Sequence, residues 1–474
     1  MTRDDGGQAA ATLDPAEDLE DLALRDDYAL NPAFVEMVVD AADQGDTARL
    51  RELIAALHPA DIADLMGFLS ADYREALIPL ISPEDLADVL AELDGALREE
   101  VLELVSPAVL AQAIGELESD DAADVVDDLD AGKRGQVLAA MSDADRAGIE
   151  SSLSYEDETA GRLMQREVFA APQFWTVGQA IDHIRAAGDE APELFFDVYV
   201  VDPANKPVGA AAVGMLLRSG REALLSQIME PVTEIPVDLD QEEVAYIFDK
   251  YHLISAPVVD AGGRLVGQIT VDDIVHVIQE ESAEDMLALA GVSDAGRGAS
   301  MFGIARSRFW WLLINLATAI LASSVIAIFQ GSIGKLVALA VLNPIAASMG
   351  GNAGTQTLTV AVRALATKEL NAANVWPTIW REIAVGVLNG LAFALVMFLV
   401  TLVWFHDPMM AMVTAMAMIV SLFAAAVAGI LLPLGLDALG FDPAASSVVF
   451  LTTVTDCVGF FSFLGLATLI LLHK

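Results

Sequence analysis

Apolar positions are distributed in two ways along this chain. From Phe309 onward they gather into five long runs, roughly Phe309–Phe329, Leu336–Leu358, Ile383–Phe405, Met409–Leu432 and Ser446–Leu472. Each is long enough to cross a bilayer, which takes about 20 residues. The second extends further, because AVRALA continues its helical pattern. Before Phe309, apolar residues instead recur singly between polar ones, as in soluble domains. The pattern predicts a membrane half of five helices behind a soluble half.

The soluble half opens on a repeat. Residues 58–153 divide without insertion into eight blocks of twelve, from HPADIADLMGFL through ESDDAADVVDDL to SDADRAGIESSL. Most blocks open on Ser or Asp, as helix N-termini do, and all end on a large apolar residue. Each block is one short helix and a turn, too short to be stable alone, so the blocks must stack into an all-α helical solenoid. From about residue 163 to 278 two segments of similar layout follow each other, with turns DPANK and DAGGR at matching places. Each reads as strand, helix, strand, turn, strand, closing helix, a tandem α/β repeat.

Charge sharpens this division. The formal net charge is −44, but only six acids and five bases lie from Phe309 to Lys474, which leaves 63 acids and 20 bases before them. So one-sided an acidity excludes nucleic acid as a partner, since phosphates need Lys and Arg. It serves solubility or collects cations, and charge alone does not choose. Residues 1–30 read as a disordered acidic tail without the order of a signal peptide, which places the N-terminus in the cytoplasm. Arg306 and Arg308 before the first run, and Arg363, Lys368 and Arg381 between the second and third, then fall on the inner side, and a fifth span leaves the C-terminus outside. The single cysteine, Cys457, permits no disulfide framework or thiolate cluster.

Two polar patches interrupt the apolar runs. Asp456 lies in the last, beside Thr452, Thr453 and Thr455. A carboxylate at lipid depth is a functional candidate by default, although a buried Asp bonded to a neighbouring helix is the plain alternative. The second run contains MGGNAGTQTLT, where Gly350, Gly351 and Gly354 permit close backbone approach and Asn352, Thr355 and Gln356 supply oxygens. Helix packing explains the glycines but not their polar neighbours. Pro344 upstream predicts a kink that frees carbonyls to line a cavity. Two such patches with one charge between them point to a cation passage. Mg²⁺ suits it, being a hard ion that takes oxygen ligands and keeps its waters. The chain carries no P-loop, H-E-x-x-H pair, C-x-x-C or nucleophile elbow, so an enzyme is not expected.

The tandem repeat resembles a pair of CBS domains, most specifically in VVDAGGRLVGQITVDDI. That resemblance implies a regulatory module that often binds adenine nucleotides, with Thr270 and Asp273 on the ribose; the first copy reads VGAAAVGML and lacks both groups. The whole order resembles the MgtE family of Mg²⁺ channels and transporters, carried by DDAADVVDDL, TVDDI with ESAEDM, NPIAASMGGNAGTQ and FLTTVTD. The resemblance implies a solenoid over residues 31–155, a CBS pair over 160–280, an acidic connecting or plug helix over 281–308 and a pore domain over 309–474. It also implies a homodimer in the lipid of the cell membrane, importing Mg²⁺ along its two-fold axis. Asp456, Gly351, Asn352, Thr355, Thr452 and Thr453 would line the pore. Asp120, Asp121, Asp124, Glu242, Asp273, Glu281, Glu284 and Asp285 would bind regulatory Mg²⁺ that shuts it, and ATP would bind the CBS pair. His252 and His276 stand where the family often has acids, which implies weakened or relocated sensor sites. A carrier of Co²⁺ or Mn²⁺, or a membrane-anchored nucleotide sensor that moves no ion, are the alternatives.

Overall fold

The computed structural model describes residue 19 and residues 22–93, 95–188, 195–292, 301–370 and 373–472. Most of the acidic tail, the glycine-rich link at 293–300 and residues 473–474 lie outside these. The chain divides into a first unit ending at Ile278 and a helical unit from Gln279 on.

In the first unit the solenoid comprises α1 (Pro32–Asp43), α2 (Thr47–Ile54), α3 (Pro59–Phe68), α4 (Ala71–Leu77), α5 (Pro83–Glu92), α6 (Gly95–Leu104), α7 (Pro107–Ile114), α8 (Ser119–Asp127), α9 (Ala131–Ala140) and α10 (Asp143–Ser152). The twelve-residue repeat is visible in the caps. His58, Ser70, Ser82, Ser106, Glu118, Asp130 and Ser142 each precede a helix in extended or near-extended backbone. Ser82 and Ser142 accept the backbone N–H three residues on, which satisfies a donor the helix itself cannot. One face of each helix then joins a continuous core, including Leu65, Leu90, Leu110 and Val126.

The CBS pair follows: α11 (Ala160–Leu163), β1 (Ala170–Pro172), α12 (Val177–Ala187), β2 (Asp197–Val201), β3 (Pro207–Ala212), α13 (Val213–Arg218), α14 (Leu225–Ile228), β4 (Ile235–Pro236), α15 (Gln241–Tyr251), β5 (Ser255–Val259), β6 (Leu265–Thr270) and α16 (Val271–Leu289). The copies repeat in detail. β1 and β4 pair parallel to β2 and β5, which pair antiparallel to β3 and β6, with an irregularity at Val200/Val201 and again at Val258/Val259. They are also interlaced: Gln165, ahead of the first copy, pairs with Gln268 of β6, and Glu230, ahead of the second, pairs with Ala210 of β3. His252 ends α15 with φ 53° and ψ 46°, the left-handed cap position usually held by Gly or Asn.

The boundary between units falls inside α16, which runs unbroken from the close of the second copy through Glu281, Glu284 and Asp285. The second unit then contains α17 (Met301–Ile328), a short α18 (Gln330–Lys335), α19 (Ala338–Ala366), α20 (Val375–Phe405), α21 (Pro408–Asp437) and α22 (Pro443–Leu471). The first of the long helices begins at Met301, so residues 301–308, read from sequence as the end of the connector, belong to it. Among the described residues four long helices are apolar enough to cross a membrane: α17, α20, α21 and, over Ser447–Leu471, α22. The remaining stretch, the second in order along the sequence, forms α19. It has 29 residues, but its run of Gly, Asn, Thr and Gln leaves it outside those four. Pro344 and Pro433 lie inside α19 and α21.

Candidate functional site

Two sites emerge, one in each unit. In the membrane unit α19 lies against both α21 and α22. A Cβ on Gly350 would come 3.6 Å from Ser421 Cβ and 3.8 Å from Thr455 Cβ; one on Gly354 would meet Leu451 at 2.9 Å; one on Gly459 would meet Ala347 Cα at 3.1 Å. These pairs run in opposite directions along α19 and α22, which brings Asp456, next to Thr455, level with Gly350 and Gly351. A Cβ on Gly429 would lie 2.8 Å from the Gly354 carbonyl oxygen, so α21 needs glycine to approach α19. Gly351 is different: nothing stands within 4 Å of its Cβ direction.

The remaining face of α19 is polar. Ser348, Asn352, Thr355, Gln356 and Thr359 follow at helical spacing and are exposed, while Ala346, Ala347, Gly350, Gly354 and Leu358 on the other side are buried. On α20 the exposed face reads Leu388, Leu391, Leu395, Leu399 and Val403, which suits lipid. Two hydroxyls of the polar face are already committed. Thr355 donates to the Gly351 carbonyl at 3.1 Å and Thr359 to that of Thr355 at 3.0 Å. On α22 Thr452 and Thr453 both donate to the Val449 carbonyl, at 3.1 and 2.7 Å, and both stay half-buried with Asp456. With their protons turned into the helix, these oxygens present lone pairs outward. Such a surface accepts hydrogen bonds, as the waters around a cation require.

In the first unit the sequence-predicted sensor residues are partly brought together. Asp120, 7% exposed, and Asp121 open α8 and face Asp273 of α16, with Glu118 and Asp272 beside them. Burial pushes Glu118 up to about 7, with Asp273 and Glu167 adding repulsion. Burial likewise pushes Asp273 up to about 7, with Asp272 adding to it and the Thr270 hydroxyl holding it back. Asp121 rises to about 6, and Asp120 well above its ordinary range for the same reasons. Glu118, Glu167 and Asp272 were not singled out from the sequence; the signal for Glu118 was its place at the head of its twelve-residue block. His276, read as a lost carboxylate, faces Asp121 and favours its charge.

Asp124 is one turn further along α8 and meets Arg162 at 3.3 Å. Glu242 lies in the exposed first turn of α15, where its N–H donates to Asp240 at 2.9 Å. Thr270 Oγ1 donates to Asp273 Oδ2 at 2.9 Å, and the matching positions of the first copy are Ala212 and Met215. In the second unit Asp285, half-buried, is pushed up by burial and then by the nearby Asp442 and Glu284. Ala288 and Leu289, at the end of the same helix, pack beside Leu358, Val362 and Leu451. Among the described residues no three Asp, Glu, His or Cys side chains converge closely enough to chelate a metal.

Residues 343–466 match a divalent cation transporter family, 57–158 the MgtE intracellular N domain, and 225–280 the CBS domain. The magnesium transporter MgtE of Thermus thermophilus is 32% identical over 443 residues, 91% of this chain and 97% of that protein. The magnesium transporter MgtE of Enterococcus faecalis is 34% identical over 322 residues, 68% of this chain and 71% of that one. A crystal structure of the cytosolic domain of the Mg²⁺ channel MgtE in complex with ATP is 32% identical, covering 51% of this chain and 99% of that one at a TM-score of 0.49. With a relative above 30% identity matched across nearly its whole length, the chain belongs to the MgtE family of magnesium transporters.

Proposed function

We propose that this protein is a homodimeric, Mg²⁺-selective channel that imports Mg²⁺ across the cell membrane and shuts when Mg²⁺ on the cytoplasmic side is sufficient. The observation that carries the reading is the polar face of α19, exposed at membrane depth and level with Asp456. Lipid does not tolerate such a face, so it borders water or a second copy. A pore on a two-fold axis meets both needs, and makes α19 the fifth span despite its polarity. The N-terminus is then inside and the C-terminus outside.

Passage follows from the side chains. Asp456 from each copy attracts the ion, while Thr355, Thr452, Thr453 and Asn352, with open space beside them at Gly351, accept hydrogen bonds from its waters. A single carboxylate per copy among neutral oxygens binds the ion strongly enough to enter and weakly enough to leave.

Closure belongs to the acidic surfaces. Glu118, Asp120, Asp121 and Asp273 repel one another when ionised, and the same holds for Asp285 with Asp442 and Glu284, with Glu281 one turn before Asp285 on the same helix. Regulatory Mg²⁺ supplies the positive charge that offsets this repulsion, so the docked arrangement gains stability by mass action as Mg²⁺ rises. Thr270 and Asp273 are the groups that would take the ribose of ATP, and one nucleotide per CBS pair is the expectation.

Reconstituted protein should pass Mg²⁺ down its gradient, far faster than Co²⁺ or Mn²⁺, with no need of a proton or Na⁺ gradient. Flux that collapses when those gradients are removed would make it a coupled carrier instead.

A further inference from the structure

Contacts between the solenoid and the CBS pair divide by the charge that faces α8. Its first turn meets chiefly acids: Glu118, Asp120 and Asp121 look toward Asp273, Asp272 and Glu167, although His276 of α16 also lies near Asp121. The hydrogen bonds that tie that turn across have uncharged donors: Gln165 to Glu118 at 2.7 Å, Ser119 Oγ and N–H to Glu167 at 2.9 and 3.3 Å, and the Arg166 N–H to Ser119 Oγ at 2.7 Å. The last turn meets a base. Arg162 Nε lies 3.3 Å from Asp124 Oδ1, and its Nη2 lies 3.0 Å from Asp127 Oδ2. Arg134 of α9 also reaches Asp127, at 2.9 Å, and Arg98 of α6 reaches Asp128, at 2.5 Å, but both belong to the solenoid itself.

Arg162 is unusual in where it stands. It is only 8% exposed, and its helix α11 is fastened into the second CBS copy, the Ala160 N–H to the Leu239 carbonyl at 2.7 Å and the Gly161 N–H to that of Val237 at 2.9 Å. Gly161 permits that seat, since a Cβ there would lie 2.6 Å from the Tyr155 ring. The guanidinium is thus a charge of the CBS core presented to α8, in a forked, partly desolvated geometry in which arginine pairs hold best.

We propose that Arg162 is a positioning residue for the gate: a built-in cation that holds the last turn of α8 on the CBS pair and so sets how much divalent cation the first turn needs before the pore shuts. The inference rests on the Mg²⁺-gated reading given above. It divides the acids of α8 into a half neutralised by the protein and a half left for the ion. Closure then requires fewer ions than the acidity of the surface implies.

The test uses the full-length protein in proteoliposomes, as wild type, R162Q and R162K, with flux measured against Mg²⁺ on the cytoplasmic face. R162Q should keep full flux at low Mg²⁺, while its shut-off midpoint moves to Mg²⁺ concentrations about tenfold higher or more, the scale of losing a charge-assisted pair. R162K keeps the charge without the fork and should move it less. In parallel, amide exchange at fixed Mg²⁺ should speed up across α8 in R162Q and stay unchanged in β4–β6. An unmoved midpoint in R162Q overturns the proposal, and so does exchange that rises throughout β4–β6, which would make Arg162 a residue of the fold alone. Wild-type flux indifferent to Mg²⁺ at every concentration would sink the gating reading rather than this contact; the α8 exchange difference would then still decide whether Arg162 holds the helix.

Discussion

The face of α19 and the first turn of α8 are both polar surfaces read here as meeting Mg²⁺, and they are built on opposite principles. The pore face offers neutral oxygens, their hydrogens tied to the helix backbone, around one carboxylate per chain. The sensor crowds Glu118, Asp120, Asp121 and Asp273 into a partly buried space where they repel. A passage must release its ion within each crossing, so it carries little charge. A sensor must respond to the ion, so it stores repulsion that only a cation relieves. Charge density, more than residue type, separates transport from detection here.

That contrast can be broken most severely at Asp456. Asp456→Ala should abolish Mg²⁺ flux while leaving melting temperature and assembly unchanged, because its side chain is only half-buried. Retained wild-type flux would remove the pore assignment. Next in size is Gly429→Ala. The added Cβ would press on the Gly354 carbonyl, a backbone atom that cannot turn aside, and overpacking of this kind costs about 1–3 kcal/mol. It should lower thermal stability and flux together, unlike Asp456→Ala. Gly351→Ala, with open space around it, should do neither to the same degree.

At the sensor, Asp120→Asn with Asp273→Asn should leave maximal flux intact and weaken its dependence on cytoplasmic Mg²⁺, measured in the same vesicles. Proton binding should act in the same place. The acids have raised values when docked, about 7 for Glu118 and Asp273 and about 6 for Asp121, so the docked state binds more protons than the separated one. Docking without Mg²⁺ should therefore strengthen as pH falls from about 7.5 to 5.5 and weaken as it rises through 6 to 7. Amide exchange of α8 in metal-free buffer checks the sign; faster exchange at low pH would contradict it. The smallest effect is expected at His252, whose left-handed conformation costs about 1 kcal/mol relative to glycine. His252→Gly should raise the melting temperature slightly and leave Mg²⁺ shut-off where it was.

The two surfaces were not equally legible from sequence. Asp456 and the Gly-Asn-Thr segment stood out because a polar residue in an apolar run is rare. The solenoid was visible because its caps recur every twelve residues, from His58 to Ser142. The sensor was harder, since in a chain with 69 acids any one Asp carries little information. Glu118 and Glu167 join the cluster only because the segment before β1 folds back onto α8, a contact between residues 47 and 48 positions apart that no local pattern records. Arg162 was hidden for the same reason. His252 and His276 looked alike as missing carboxylates, yet one caps a helix and the other faces Asp121.

The central claim is that one ion is both cargo and signal. Its most direct test is Mg²⁺ flux into proteoliposomes of the full-length protein, with Mg²⁺ on the cytoplasmic face varied from none to several millimolar at constant driving force. The account predicts fast flux at low cytoplasmic Mg²⁺ and a cooperative fall as it rises. Flux that stays constant across the whole range would contradict it.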